Sequence, residues 1–175
     1  MKLSENLVEA FNRQMAMEFQ ASFSYLAACA HFESTPFKGF AKWYRLQSEE
    51  EYAHAMRLFD YLKSRGATIV VPIIEQPGQS FDPKPIGVFK MSLAQEEAVS
   101  KAINELYELA QKERDYPSLQ FLDWFLREQV EEEDSVTEVI DRLELVGDDP
   151  AGLLQIDAEA AARSPEEGGS GAAAG

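Results

Sequence analysis

A polar pattern written twice constrains this chain more than any other feature. Glu51 and His54 form a Glu-x-x-His pair, and Gln129 and Glu132 form a Gln-x-x-Glu pair 78 residues later. A single glutamate precedes each pair by 33 residues, Glu18 in the first case and Glu96 in the second. Residues three apart on a helix share a face, so each pair aims two side chains at one point. Four helices folded together would converge five or six oxygen and nitrogen donors on one buried spot. Helical bundles hold two metal ions in this way.

Hydrophobic periodicity places those residues on long helices. The first is expected to open at Ser4, a good N-cap, and to run to about His31. Its apolar stripe passes through Leu7, Phe11, Met15, Ala21 or Ser22, and Tyr25, with Glu18 inside it. Ser34-Thr35-Pro36 breaks the pattern. A second helix is expected from about Phe37 to Arg65, stopped by Gly66. It carries Trp43 or Tyr44, Gln47, Leu58 and Leu62 on one stripe with Glu51 and His54.

Residues 67 to 87 differ in kind: a β-branched run from Thr68 to Ile74 is broken by Pro72, and Pro77, Pro83 and Pro85 follow. No helix survives there. Extended at about 3.3 Å per residue, this connection can run the whole length of a helix. The second and third helices are therefore expected to be parallel, joined end to end by a crossover. Its apolar Ile69–Ile74 stretch would lie in a surface groove or against a partner subunit.

The third helix is expected over Val88 to Lys112, with Leu93, Val99 and Ile103 flanking Glu96. A break at Asp115-Tyr116-Pro117 leads to a fourth, Ser118 to Val146, with Leu122, Phe125, Val136, Ile140 and Leu143 inward. Gly147 ends it, and Asp148-Asp149-Pro150 caps a short fifth helix from Ala151 to Ala162. The expected fold is all-α, a four-helix bundle with a long crossover and a short C-terminal helix. Residues 1–163 form its one domain, and 164–175 read as a flexible Gly/Ala/Ser-rich tail.

Composition excludes several classes of function. The one cysteine, Cys29, leaves no intrachain disulfide and points to a reducing cytoplasm. The first residues lack the apolar stretch of a secretory signal, and no apolar run approaches the length of a membrane span. A net charge of -15 argues against nucleic acid, whose phosphates need a basic surface, and suits a protein that attracts cations.

The inward carboxylates carry the chemistry. Charged side chains are almost never fully buried unless paired or bound to metal. Glu18, Glu51, Glu96 and Glu132 fall on inward stripes of four different helices, and unmetallated they would repel or stay protonated. Two divalent cations remove that cost, and oxygen-rich ligation with one imidazole suits iron or manganese.

At these residues the sequence resembles the non-haem bacterial ferritins, from about Leu3 to Ala162. The supporting segments are Met17-Glu18-Phe19 with Tyr25, Glu50 through His54, Glu96, Phe121 through Trp124, and Glu128 through Glu133. The resemblance implies a ferritin-like fold and a di-iron ferroxidase centre. One site would be Glu18, Glu51 and His54. The other would use Glu51 as bridge with Glu96 and Glu132, and Gln129 close by. Glu50, Glu128 and Glu131 match a third iron site, and Tyr25 the family's redox-active tyrosine.

Tyr52 follows the bridging glutamate where haem-binding relatives carry methionine, so no haem is expected and the methionines read as core. Fe(II) and dioxygen, or hydrogen peroxide, are the implied partners, in a homo-oligomeric cage of about 24 subunits with neither nucleic acid nor membrane. The alternative is a soluble di-iron oxidase or oxygenase acting on an organic substrate.

Overall fold

The computed structural model describes residues 2–164, so all of the expected tail beyond Ser164 lies outside the described residues. Five helices follow in order: α1 (Glu5–Glu33), α2 (Lys38–Ser64), α3 (Pro85–Glu113), α4 (Tyr116–Val146) and α5 (Pro150–Ala160). Ser4 does cap α1, its side chain accepting from the Leu7 N–H at 3.1 Å. Gly66 takes a φ of 63° just past α2, and Gly147 one of 57° at the end of α4.

Two expected starts were too late. α3 begins at Pro85 rather than Val88, and α4 at Tyr116 rather than Ser118. In each case a proline sits in the first helical turn, where its missing N–H would have no intrahelical partner anyway. Asp115 caps α4 by accepting from the Ser118 N–H. The stripe choices resolve as both members: Ala21, Ser22, Trp43 and Tyr44 are all buried. Leu93 is only half-buried, and Ser92 takes the inward position instead. Among the methionines Met15 is core, Met17 and Met56 are half-buried and Met91 is exposed, which corrects their common reading as core.

Contacts give the helix directions. Ser22 meets Ser48, and Phe11 meets Tyr61, so α1 and α2 are antiparallel. Gln129 reaches Glu96, and Tyr107 reaches Asp123, so α3 and α4 are antiparallel as well. Tyr25 meets Glu96 while Asn6 meets Glu113, which sets α1 against α3 and makes α2 parallel to α3. The crossover therefore runs end to end. It lies along α1 as a strap held by two side-chain amides. Asn12 donates to Thr68 O at 3.0 Å and accepts from Val70 N at 2.7 Å. Gln20 donates to Glu75 O at 3.1 Å and accepts from Glu75 N at 3.0 Å. Ile69 and Ile74 turn partly inward, whereas Val71 and Ile73 stay exposed.

Two apolar clusters fill the bundle. One gathers Tyr25, Phe32, Phe40, Tyr44, Phe89 and Ile140 toward one end, and the other gathers Phe11, Met15, Leu58, Ile103, Leu122 and Phe125 toward the opposite end. Glu18, Glu51, Glu96 and Gln129 lie between them in sequence, one on each of α1 to α4. The polar residues thus form a layer across the middle.

α5 packs on α2 and α4. Its Asp157, buried, accepts from the Phe40 N–H at 2.7 Å and so caps α2, whose own N-cap residue Phe37 makes no side-chain bond. At the other end of α2, Arg65 grips Asp115 through two bonds of 2.9 and 2.7 Å, which holds the Asp115 carboxyl down at about 2. Among the described residues no helix is long and apolar enough to cross a membrane.

Candidate metal centre

The repeated carboxylates do meet. Glu18, Glu51 and His54 each offer a ligand atom, and these atoms lie within 4.8 Å of one another, all buried. Glu51 and His54 are one helical turn apart on α2, with Oε2 and Nδ1 at 3.5 Å. Glu18 comes from α1, held by a 2.8 Å bond from Gln14 Nε2 to its Oε1. Among the described residues, Glu18 Oε2, Glu51 Oε2 and His54 Nδ1 are buried atoms without a hydrogen-bond partner. Buried polar atoms are nearly always satisfied, so three orphans at one point need a cation or protons.

Glu96 and Glu132 complete the far side. The Tyr25 hydroxyl donates to Glu96 Oε1, and Gln129 Nε2 donates to Glu96 Oε2 at 3.2 Å. Gln47 Nε2 donates to Glu132 Oε2 at 2.5 Å and, more weakly, to Glu51 Oε1 at 3.4 Å. Trp124 and Phe125 stand edge-on to the His54 ring, 5.2 and 6.1 Å between centroids.

Burial pushes all four carboxyls up. Glu18 is raised well above the ordinary glutamate value by desolvation and then by the charge of Glu51. Glu51 is raised by burial, then by Glu96 and Glu132. Burial raises Glu96 against the opposing hydrogen bonds from Tyr25 and Gln129, and Glu132 is lifted to about 8 by burial and by Glu96. The Tyr25 hydroxyl also rises, through burial and the neighbouring Glu96. Metal bound at this site must displace the protons that burial favours.

Set beside known families, the chain matches the ferritin-like domain over residues 8–146. The protein belongs to the ferritin-like family. A bacterial non-heme ferritin of Staphylococcus haemolyticus is 40% identical over 165 residues, covering 94% of this chain and 99% of that one. The one from Staphylococcus aureus strain USA300 is 36% identical over the same length. Among solved structures, an open pore ferritin from the hyperthermophilic archaeon Archaeoglobus fulgidus superposes with a TM-score of 0.90 at 38% identity, over 93% of this chain and 98% of that one. A closed form of the Archaeoglobus ferritin made by site-directed mutagenesis gives the same TM-score at 39% identity, over 93% and 99%.

In this ferritin-like bundle the acidic residues outside the centre are arranged differently. Glu50 and Glu128 are half-buried and Glu131 is exposed, and they do not form a close ligand group like that of Glu18, Glu51 and His54. Glu50 is instead paired with Arg163, at 2.6 Å. Sequence reasoning assigned no role to Gln14 and Gln47, the amides behind Glu18 and Glu51. A signal existed: each precedes its glutamate by four, and the two are again 33 residues apart. Nothing in the sequence marked Arg163.

The raised carboxyls make metal-free stability depend on pH with a definite sign. A group whose folded pKa lies above its unfolded value stabilises fully only below the unfolded value, and that stability drains away as pH rises toward the folded value. For Glu132 the window runs from 4.5 to about 8. Asp115 works oppositely, losing its contribution only as pH falls from 3.8 toward about 2. The metal-free protein is therefore expected to melt lower at pH 8 than at pH 5. Thermal melts of the parent and of Glu132→Gln, each across that range, check this: the variant should show a shallower decline. Equal slopes would mean that Glu132 is already ionised in the fold.

Proposed function

We propose that this protein stores iron, oxidising Fe(II) with dioxygen at the mid-bundle centre and keeping the Fe(III) product inside a homo-oligomeric cage. The observation that carries this reading is the convergence of three unsatisfied buried donor atoms from Glu18, Glu51 and His54. One Fe(II) would take Glu18, Glu51 and His54; a second would take Glu96 and Glu132, with Gln129 beside it. Glu51 lies between the two sets and would bridge them.

Iron is the substrate here, and the protein supplies the site. Each of two Fe(II) ions gives up one electron, and dioxygen with two protons accepts the pair to form hydrogen peroxide. Delivering both electrons from adjacent ions avoids release of a one-electron product. The carboxyls that hold protons in the metal-free state give them up as iron binds, which makes uptake fall as pH drops. Tyr25 would keep Glu96 oriented through its hydroxyl hydrogen bond. Fe(III) then hydrolyses and leaves for the enclosed space, where it accumulates as oxyhydroxide. Family membership along nearly the whole chain supports the cage, of about 24 subunits.

The test is direct. Purified protein, freed of metal and given Fe(II) in air, is expected to oxidise it faster than buffer does and to keep the product in solution. Size-exclusion chromatography should show a species of several hundred kilodaltons. Oxidation no faster than buffer, or a rust precipitate, would end the storage reading; a monomer or dimer would favour an oxidase with an organic substrate.

A further inference from the structure

An amide can point either way, and the surroundings of Gln47 decide its direction. On its outer side stands Arg163, carried by the chain that leaves α5 after Ala160. Lys42 Nζ donates to Ala161 O at 2.5 Å and pins that exit against α2. The Arg163 guanidinium lies over the Trp43 ring, 4.8 Å from its centroid, and its Nη2 donates to Glu50 Oε2 at 2.6 Å. Its Nη1 donates to Gln47 Oε1 at 2.8 Å. A guanidinium has donors and no acceptor, so only the oxygen of Gln47 can face it. The amide nitrogen is thereby turned inward, where it donates to Glu132 Oε2 at 2.5 Å and to Glu51 Oε1 at 3.4 Å. The reverse orientation would set donor against donor outside and oxygen against two carboxyls inside. Gln47 is fully buried and the Arg163 side chain is 13% exposed, which leaves little water to replace either contact.

We propose that Arg163 is a positioning residue for the second of the two central irons: by fixing the Gln47 amide, it holds the Glu132 carboxyl in one orientation toward the centre. This rests on the reading of Glu132 as a ligand of that iron. Groups that hydrogen-bond a metal ligand from behind are worth about 10- to 100-fold in metal affinity. Gln47 is such a group, and Arg163 acts through it at one remove, so its loss should weaken the second ion by about tenfold. The sign of the effect is diagnostic. A guanidinium acting by charge alone repels a cation, and its removal would tighten metal binding. The first ion, on Glu18, Glu51 and His54, meets this relay only through the longer bond to Glu51 and should be little affected.

Co(II) makes the probe, since it binds oxygen and imidazole ligands and its visible absorption reports on their arrangement. It would be titrated, by calorimetry and absorption, into the metal-free, assembled parent and into Arg163→Met, Gln47→Met, the double variant and Glu132→Gln, each checked for unchanged size and helicity. Arg163→Met keeps an apolar stem over Trp43 and removes every donor. The parent should take up two Co(II) ions per subunit, the second of them lost in Glu132→Gln. Arg163→Met should weaken that second ion about tenfold and shift its absorption bands, leaving the first ion within about twofold. Gln47→Met should weaken it at least as much. Adding Arg163→Met to Gln47→Met should change nothing further, since the arginine acts through the amide. A second ion that depends on Glu132 but is unmoved or tightened by Arg163→Met overturns the positioning role alone. So does indifference to Gln47→Met, equal weakening of both ions, or a further loss in the double variant. Absence of any ion that depends on Glu132 overturns the two-iron reading, and the positioning role with it.

Discussion

Replacing Glu51 by alanine is expected to abolish the fast oxidation of Fe(II), because the carboxylate faces both halves of the centre. It shares a donor group with Glu18 and His54, and the charges of Glu96 and Glu132 act on it directly. The effect on stability should run the other way. In the metal-free protein Glu51 crowds three more buried carboxyls, and its Oε2 has no hydrogen-bond partner. Glu51→Gln keeps the volume and removes the ionisable group, and with it the cost of repulsion or of forced protonation, so the metal-free variant should be at least as stable as the parent, by about 1 kcal/mol for each unit of pKa shift relieved. Added metal should raise the parent's melting temperature far more than the variant's. Stopped-flow oxidation and anaerobic melts with and without Fe(II) provide the check. A metal-free Glu51→Gln protein that unfolds well below the parent would make Glu51 a structural residue.

The second large effect belongs to Gly39. A Cβ built there would stand 1.7 Å from the Asp157 carbonyl oxygen and 2.5 Å from its carbon, both backbone atoms that have nowhere to go. Gly39→Ala should therefore push α5 off α2. That breaks the bond from Asp157 to the Phe40 N–H and draws Ile156 out of the apolar cluster around Trp43 and Phe40. Losing a helix cap costs about 1 kcal/mol and overpacking about 1–3 kcal/mol more, so a destabilisation of about 3 kcal/mol is expected. Guanidinium unfolding of the metal-free protein measures it. Gly78→Ala is the control, since a Cβ there meets nothing within 4 Å. Equal midpoints for the two variants would mean that α5 does not rest on α2 as described.

Much of this was legible in the chain, for reasons that differ by element. The four carboxylates announced themselves because a period of 3.6 and two equal intervals fix them to inward faces, and burial of charge is costly enough to demand a cause. The crossover was legible from its prolines and from simple length, which left an end-to-end path as the only way to reach the next helix. The starts of α3 and α4 were misplaced because proline was read as a break, whereas in a first turn it is neutral or helpful. Gln47 was legible as an inward residue but Gln14 was not, and neither received a role, since an amide on a stripe is a weak signal alone; only their shared offset from Glu18 and Glu51 gives them away. Arg163 was invisible. Its partners sit more than 110 residues earlier, and no local pattern anticipates a contact made by the chain doubling back.

The polar layer across the middle of the bundle also serves as a ruler. Leucine and phenylalanine above and below it would tolerate a helix sliding by a turn, since one apolar contact replaces another at little cost. Glu18, Glu51, Glu96 and Glu132 would not, for a slip of one turn strands a carboxyl among Phe11, Leu58, Ile103 and Phe125, where an uncompensated charge costs several kcal/mol. The same residues that are read as receiving iron thus set the vertical alignment of α1 to α4, and they do so before any metal arrives.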